Sequence, residues 1–484
     1  MKKFYITTTL PYVNAAPHVG FALEIIQADV IARHHAILGD EVFFNTGTDE
    51  HGLKIYQKAI EEKKDPQKYC DEYAAKFDLL KEKLNLSYNN FVRTTDKHHI
   101  EAAREFWKKC EANGDVYKKN YKTKYCIGCE LEKTDSELID GKCPIHPNSR
   151  IEIIEEENYF FKFSKYQQSL LGLYEKNPDF VVPEHRQKEI YNFVKSGLQD
   201  FSISRLKSKM PWGIPVPDDN NHVMYVWFDA LINYISCLGW PENEKKFASF
   251  WGNKKNPNAI QVAGKDNLRQ QTAMWQAMLM SAGVPNSKQV FIHGFINLAG
   301  QKVSKSSGAS LPSPVELVDK YGIDAVRYYL LKEIPAHEDG DFSLERLKEM
   351  YNGDLANGLG NLVARVLTLG DKNKIKSNKP EKDVSKIVEE TERKRNKAIE
   401  KFRFNEALKE IWKLIGFCNK YVNDNKPWEL AKTDKKKLEQ VLSNLFYCVS
   451  EIADLIAPFL PETSEKIKKQ IKAGKSEILF PRLL

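Results

Sequence analysis

Phe4-Tyr5-Ile6-Thr7-Thr8 leads into a turn-rich stretch, Pro11-Tyr12-Val13-Asn14-Ala15, and then into Ala16-Pro17-His18-Val19-Gly20. The first five residues, aromatic and β-branched, read as a strand. Pro17 suits a first helical turn, where its missing N–H costs nothing. Ala22, Ile25, Ile26, Val30 and Ala32 supply apolar points for a helix from about His18 to Leu38. Its unpaired N–H groups and positive dipole end make a phosphate site. His18 adds an imidazole donor there, and Gly20 lets a ligand approach the backbone. Alone, a His-x-Gly at this place is better read as a helix cap without a ligand.

Outward from this stretch, Val42-Phe43-Phe44 predicts a second strand, ending in Gly47-Thr48-Asp49-Glu50-His51-Gly52. Strand, helix, strand at this spacing reads as half of a Rossmann-like α/β domain. Polar residues just after a buried strand fall at the ligand-binding edge of an open parallel sheet. A tight turn capped by Asp49 is the structural alternative. No GxGxxG is present, so a dinucleotide is not suggested. The second half begins at Ala259-Ile260-Gln261-Val262-Ala263 and ends in Gly264-Lys265-Asp266. Val290-Phe291-Ile292 is a further strand, followed by His293-Gly294-Phe295 and by Gly300-Gln301-Lys302-Val303-Ser304-Lys305-Ser306-Ser307-Gly308. That last loop is dense in donors and suits a polyanion whose charge shifts during reaction, such as a triphosphate. A solvated basic loop is the bland alternative.

With 484 residues, 42% hydrophobic and 11% aromatic, the chain is globular and long enough for two to four domains. A net charge of +7 permits a nucleic-acid partner without demanding one. Pro11, Asn14, Pro17 and His18 interrupt the uncharged run after Met1-Lys2-Lys3, so no signal peptide is expected there, and no stretch could span a membrane. Eight cysteines in so long a chain do not form a disulfide framework, and the cytoplasm is the expected compartment.

Cys126-Ile127-Gly128-Cys129 and Cys143-Pro144-Ile145-His146 are two knuckles with the spacing of a tetrahedral Zn²⁺ site. Four protein ligands leave no open position, so the ion would be structural, stapling an insertion too small for a core of its own. Trp227, Leu231 and Tyr234 fall on one apolar helical face, which periodicity alone assigns to core packing. After Leu344 the chain reads as nearly all helix. Leu355, Leu359, Leu362, Val363 and Val366 define an apolar face, with Asn361 and Arg365 opposite. Helices are expected at about Ser385 to Asn423 and Lys435 to Leu455, joined through Asn425-Lys426-Pro427-Trp428. Trp428 is either a core residue or a platform for an unpaired base.

Taken in order, Thr9-Leu10-Pro11-Tyr12-Val13-Asn14, His18-Val19-Gly20, Thr48-Asp49-Glu50-His51-Gly52, Tyr225-Val226-Trp227-Phe228-Asp229-Ala230, Gly264-Lys265-Asp266 and Lys302-Val303-Ser304-Lys305-Ser306 resemble the signatures of the methionyl-tRNA synthetases, class I enzymes with HIGH and KMSKS motifs. Asn361-Leu362-Val363-Ala364-Arg365 and Lys426-Pro427-Trp428 resemble the family's anticodon-reading segments.

The resemblance implies a Rossmann-like catalytic domain in two halves, residues 1–113 and 251–343. Between them, 114–250 would hold the zinc-stapled connective insertion and the return to the core, and 344–484 an all-α anticodon-binding bundle. It implies activation of L-methionine by ATP, with Mg²⁺, and transfer to the terminal adenosine of tRNA(Met) for initiation and elongation. His18, Gly20, Asp266, Lys302, Ser304 and Lys305 would serve ATP, with His18, Lys302 and Lys305 catalytic. Asp49 would hold the methionine ammonium. Leu10, Tyr12, Trp227, Ala230, Leu231, Tyr234 and His293 would form the side-chain pocket, and Asn361, Arg365 and Trp428 would read the anticodon.

Two positions depart from the pattern: Phe21 stands where a second histidine is usual, and Gln270-Gln271 where a Phe-His pair is. Between Gly114 and Lys265 there is too little chain for the editing insertion of the leucine, isoleucine and valine enzymes. A cysteine enzyme would place a catalytic metal in its pocket, and a non-catalytic tRNA-binding paralogue would be expected to lose His18 or the loop lysines. Without an added dimerising domain after Leu484, a monomer is expected.

Overall fold

Six parallel strands carry the molecule. In the computed structural model, which describes all residues except 129–130, 134, 299–300, 303–311, 375–379 and 484, they are β1 (Lys3–Thr8), β2 (Glu41–Thr48), β3 (Asn90–Arg93), β4 (Val181–Val182), β5 (Ala259–Gly264) and β6 (Gln289–His293). Their spatial order is β3-β2-β1-β5-β6-β4. Ile6 stands beside Phe44 on one side and Ile260 on the other, and Val262 stands beside Phe291. Side chains alternate between two cores, as the pleat requires. Phe4, Ile6, Ile260, Val262 and Phe291 face one; Tyr5, Ala259, Ala263, Val290 and Ile292 face the other. Burial on both faces is why these strands read as apolar runs.

The chain leaves β1 toward β2 and returns through β5 on the opposite side of β1. This reversal opens a crevice at the carboxyl ends of the strands. Helix α1 (Val19–Ile37) begins there, with His18 as its N-cap and Leu38 as its C-cap, as the sequence predicts. Its flank is buried almost throughout and carries Asp29 inside.

An antiparallel hairpin, Val116–Cys126 with Ile151–Phe161, forms the insertion between the halves, in register from Val116 opposite Phe161 to Cys126 opposite Ile151. The charged stretch from 54 to 113 is mostly helical but also contains β3. Asn90-Phe91-Val92-Arg93 has two apolar residues, too few to announce a strand at the sheet's edge.

After the Lys302 loop, helix Pro314–Tyr321 ends at Gly322, whose φ of +86° admits glycine most easily, and a second helix begins directly after it. That second helix is α2 (Ile323–Lys332). The bundle follows as α3 (Asn361–Asn373), α4 (Lys382–Glu400), α5 (Phe404–Asn425), α6 (Pro427–Thr433), α7 (Lys435–Ile456) and α8 (Pro461–Ala473). The single helix expected from Ser385 to Asn423 is thus two. Phe402, at φ +55°, turns the chain between α4 and α5, and its buried ring stacks on Phe291 of β6 with centroids 4.5 Å apart. Ring burial against the sheet offsets the left-handed backbone. The parallel sheet and the bundle consequently share one apolar core. Among the described residues no helix is long and apolar enough to cross a membrane.

Candidate active site

A cleft of about 500 Å³ opens at the carboxyl edge of the sheet, and the loops after β1, β2, β5 and β6 all reach it. Pro11 to Val13 is fastened to Asp49 by two backbone bonds: Asp49 N–H donates to the Pro11 carbonyl (3.0 Å), and Val13 N–H to the Asp49 carbonyl (3.2 Å). These prolong the β1–β2 ladder past both strands and bring Leu10, Tyr12 and Asp49 to one wall. Gly52, at φ +115°, lies under Tyr12; a Cβ there would stand 2.3 Å from the Tyr12 hydroxyl oxygen.

On the next wall, His18 caps α1. Its Nδ1 accepts from the Gly20 N–H at 3.1 Å, leaving Nε2 to carry the proton of the neutral ring. Phe21 lines the same side and meets Phe77 edge to face at 5.3 Å. The second imidazole of the motif is therefore replaced by an aromatic pair rather than by another polar group.

Trp227, Ala230, Leu231 and Tyr234, on two consecutive short helical turns, also line the cleft. Three are buried and Trp227 half-buried, with its indole Nε1 shielded from water and without a partner among the described residues. Core packing and cavity wall are here the same face. Behind it, Asp229 receives His51 Nδ1 at 2.6 Å and His99 Nε2 at 2.8 Å. Burial alone would raise the Asp229 carboxyl, but the two imidazoles hold it below the ordinary value. This cluster ties the loop after β2 to the Trp227 turn.

His293 closes the floor. Its Nδ1 faces the Gly294 carbonyl at 2.7 Å and its Nε2 faces Glu24 Oε2 at 2.9 Å. Two acceptors favour the doubly protonated ring. Burial works against that charge, yet Glu24 outweighs it and His293 is raised above 6.5. Glu24 also accepts from Thr9 N at 2.8 Å and Thr9 Oγ1 at 2.5 Å. Asp266 is exposed at the rim beside Gly264, where a Cβ would stand 2.8 Å from its Oδ1.

Lys302 pairs through its backbone with Asn297, in a strand that starts from the cleft-lining Ile296. Its side chain, and Ser304 and Lys305 entirely, lie outside the described residues.

The insertion reaches the same cleft. Ligand atoms of Cys126, Cys143 and His146 lie within 4.8 Å of one another, a spacing that one ion can bridge, while Cys129 lies outside the described residues. Both thiols are fully buried. Lys54 Nζ donates to the Gly128 carbonyl at 2.9 Å, Arg269 pairs with Glu137 at 2.9 Å, and Ile145 and His146 face the cleft.

In the bundle, Arg365 Nη2 donates to Asn423 Oδ1 at 2.9 Å, and its guanidinium sits 5.8 Å from the Trp428 ring centre. Trp428 is 44% exposed, so it is no core residue. Asn361 is exposed one turn earlier on α3.

Sequence reasoning missed Glu24, His99 and the insertion's approach to the cleft. Glu24 had a signal, an isolated carboxylate within the apolar run Ala22-Leu23-Glu24-Ile25-Ile26.

A family profile described as tRNA synthetases class I (M) matches residues 4–152 and 136–367, and one described as an anticodon-binding domain of tRNA ligase matches 381–482. The chain belongs to the methionine–tRNA ligase family. A methionine–tRNA ligase of Thermotoga maritima is 43% identical over 480 residues, spanning 97% of this chain and 75% of that one. A methionine–tRNA ligase of Nostoc sp. is 42% identical, spanning 98% and 90%. The fold is similar to that of Mycobacterium tuberculosis methionyl-tRNA synthetase in complex with methionyl-adenylate, at a TM-score of 0.90 and 37% identity over 97% of this chain and 93% of that one. Membership of this family of ligases makes the chain an enzyme.

Proposed function

We propose that this chain activates L-methionine with ATP and transfers the methionyl group to the 3′-terminal adenosine of tRNA(Met), for initiation and elongation. The observation that carries the reading is the convergence of Tyr12, His18, Asp49, Trp227, Tyr234 and Asp266 on one cleft at the sheet's topological reversal.

In the first step a methionine carboxylate oxygen attacks the α-phosphorus of ATP. The bond to the β-phosphate bridging oxygen breaks, and pyrophosphate leaves with that electron pair. The protein supplies orientation and charge rather than a nucleophile. His18 Nε2–H and the α1 N-terminus, opened by Gly20, face the phosphates. Lys302 and Lys305, with Ser304, neutralise charge on the leaving pyrophosphate, and Asp266 places the ribose. Asp49 holds the ammonium by a charge-assisted contact. Leu10, Tyr12, Trp227, Ala230, Leu231 and Tyr234 enclose the side chain, whose polarisable sulfur suits aromatic walls, and His293 supports that floor. In the second step a ribose hydroxyl of the terminal adenosine attacks the acyl carbon and AMP leaves.

Residues 1–113 and 251–343 build this cleft together with the turns at 227–234 of the segment 114–250, which also carries the metal knuckle, and 344–484 read tRNA through Asn361, Arg365 and Trp428. Cys126, Cys129, Cys143 and His146 would hold one Zn²⁺, which staples the insertion. Mg²⁺, bound together with ATP, would supply further positive charge to the phosphates. Thiols at Cys70, Cys110, Cys237, Cys418 and Cys448, all buried and unpaired as disulfides, suit the reducing cytoplasm.

The test is amino-acid-dependent ATP–pyrophosphate exchange across the twenty amino acids, without tRNA. Exchange with methionine alone is expected. Exchange with another amino acid would displace the pocket assignment.

A further inference from the structure

Among the described residues, Lys54 is the one lysine or arginine that lines the cleft, and it is half-buried there. Glu24, Asp49 and Asp266 line the cleft too. None of these carboxylates pairs with Lys54 among the described residues, and Glu24 is taken by His293 and Thr9. The Lys54 Nζ donates instead to the Gly128 carbonyl of the metal knuckle, at 2.9 Å. A carbonyl is a dipole and brings no countercharge. An ammonium group has three protons to give, and this contact uses one.

The neighbours of Lys54 say where its charge falls. Ile55 is buried in a small core with Val13 and Phe77, and Phe21 packs against that core. Lys54, one residue earlier, therefore enters the cleft from the side of the Phe21–Phe77 pair, whose rings line the same space. This wall at the start of α1 offers one imidazole, His18, and two phenyl rings. The rings cannot neutralise an anion; the lysine beside them can. Two kinds of anion would meet here, the carboxylate of the amino acid and the phosphates of ATP. A lysine clamped on the carboxylate would weaken the attacking oxygen. A lysine on the phosphates draws charge from the bond that breaks.

We propose that Lys54 is a phosphate-binding residue of this cleft, which exchanges the Gly128 carbonyl for an oxyanion of ATP and supplies the charge that the Phe21 wall lacks. The proposal rests on the cleft being the ATP site. A compact ammonium on a flexible four-carbon stem suits that movement. The exchange replaces a hydrogen bond to a neutral acceptor by one between two charges, which is the stronger.

The experiment is ATP–pyrophosphate exchange with methionine for the wild type, Lys54→Met, Lys54→Gln and Lys54→Arg, with aminoacylation of tRNA(Met) alongside. Lys54→Gln keeps a donor for the Gly128 carbonyl and loses the charge; Lys54→Arg keeps both. The kcat/KM for ATP should fall about 10- to 150-fold in Lys54→Met and Lys54→Gln alike, with the KM for methionine unchanged. Lys54→Arg should recover most of the loss. Wild-type kcat/KM for ATP in Lys54→Gln would reduce the lysine to a tether of the knuckle. A raised KM for methionine instead would give it to the carboxylate, and a loss confined to the transfer step would give it to a tRNA phosphate. Each of these three overturns the proposal and leaves the ATP site standing. A wild-type chain that exchanges with no amino acid would remove the ATP site and the proposal together.

Discussion

Arg327 Nη2 lies 2.7 Å from Asp29 Oδ2, and neither side chain touches solvent. The guanidinium also donates to the carbonyls of Leu84 (3.0 Å), Pro458 (3.1 Å) and Phe459 (2.8 Å), so one side chain joins α1, the loop before β3 and the turn between α7 and α8. Breaking a buried pair from one side strands the other charge, at a cost of about 3–5 kcal/mol. Arg327→Met should lower the thermal midpoint by several degrees, and Asp29→Asn should do so too. A midpoint unchanged in both would show that the pair adds nothing to stability.

The same carboxylate gives a pH dependence. Burial pushes Asp29 up, but Arg327, Arg33 and Ser87 hold it below the ordinary value of 3.8. A depressed native value adds stability above 3.8 that is lost as pH falls through the native value. Melting curves of wild type and Asp29→Asn should be furthest apart near neutrality and converge in acid. A constant gap would contradict the assignment.

His293 behaves in the opposite sense. Raised above 6.5, its contribution is complete below that pH and is lost as pH rises through the native value. Glu24→Gln should move the His293 titration downward, as read by NMR on labelled histidine. An unmoved midpoint would show that another group sets it.

Zinc should be present at about one ion per chain by elemental analysis. Cys143→Ser should lose it and open residues near 120 to 150 to proteolysis. Because Lys54 and Arg269 tie this unit to the cleft rim, exchange should slow as well. Metal-free protein that resists proteolysis would remove the zinc reading.

Lys305→Ala should slow adenylate formation by about 10²–10³-fold, the scale of losing a charge-stabilising donor, with methionine affinity retained. Pre-steady-state adenylate formation is the measurement, and wild-type rates would sink the role.

Trp428→Ala should reduce kcat/KM for tRNA by about 5- to 150-fold, the worth of one stacked base at ~1–3 kcal/mol, and spare exchange. Equal loss in both assays would mean a structural tryptophan after all. Raising salt should weaken tRNA binding further, through counterion release.

The sheet's centre was legible because β1, β2, β5 and β6 are apolar runs that end in polar signatures. β3 was not, since Asn90 and Arg93 flank only two apolar residues. Nor was the break at Phe402, whose phenyl ring looks like helix core in sequence and in fact docks on Phe291. At the cleft, Tyr12, His18, Asp49, Trp227 and Asp266 each lie in a short contiguous pattern that a sequence displays. Gln271 was visible only as a departure, and its partners Gln261, Gln276 and Tyr234 follow no period that a sequence could display. His99 and Asp229 meet across 130 residues, and only the fold makes them neighbours.

The Phe402 turn bears on protein engineering. Phe402 stacks on Phe291, and Phe404 meets the same ring at 6.2 Å, two residues before His293 in the cleft. The bundle is therefore not an interchangeable cartridge. A chimaera that grafts a relative's tRNA-reading helices onto this catalytic half must carry residues 291, 402 and 404 as a matched set. A cut that separates them leaves mismatched aromatic surfaces on the strand that carries the cleft-lining His293.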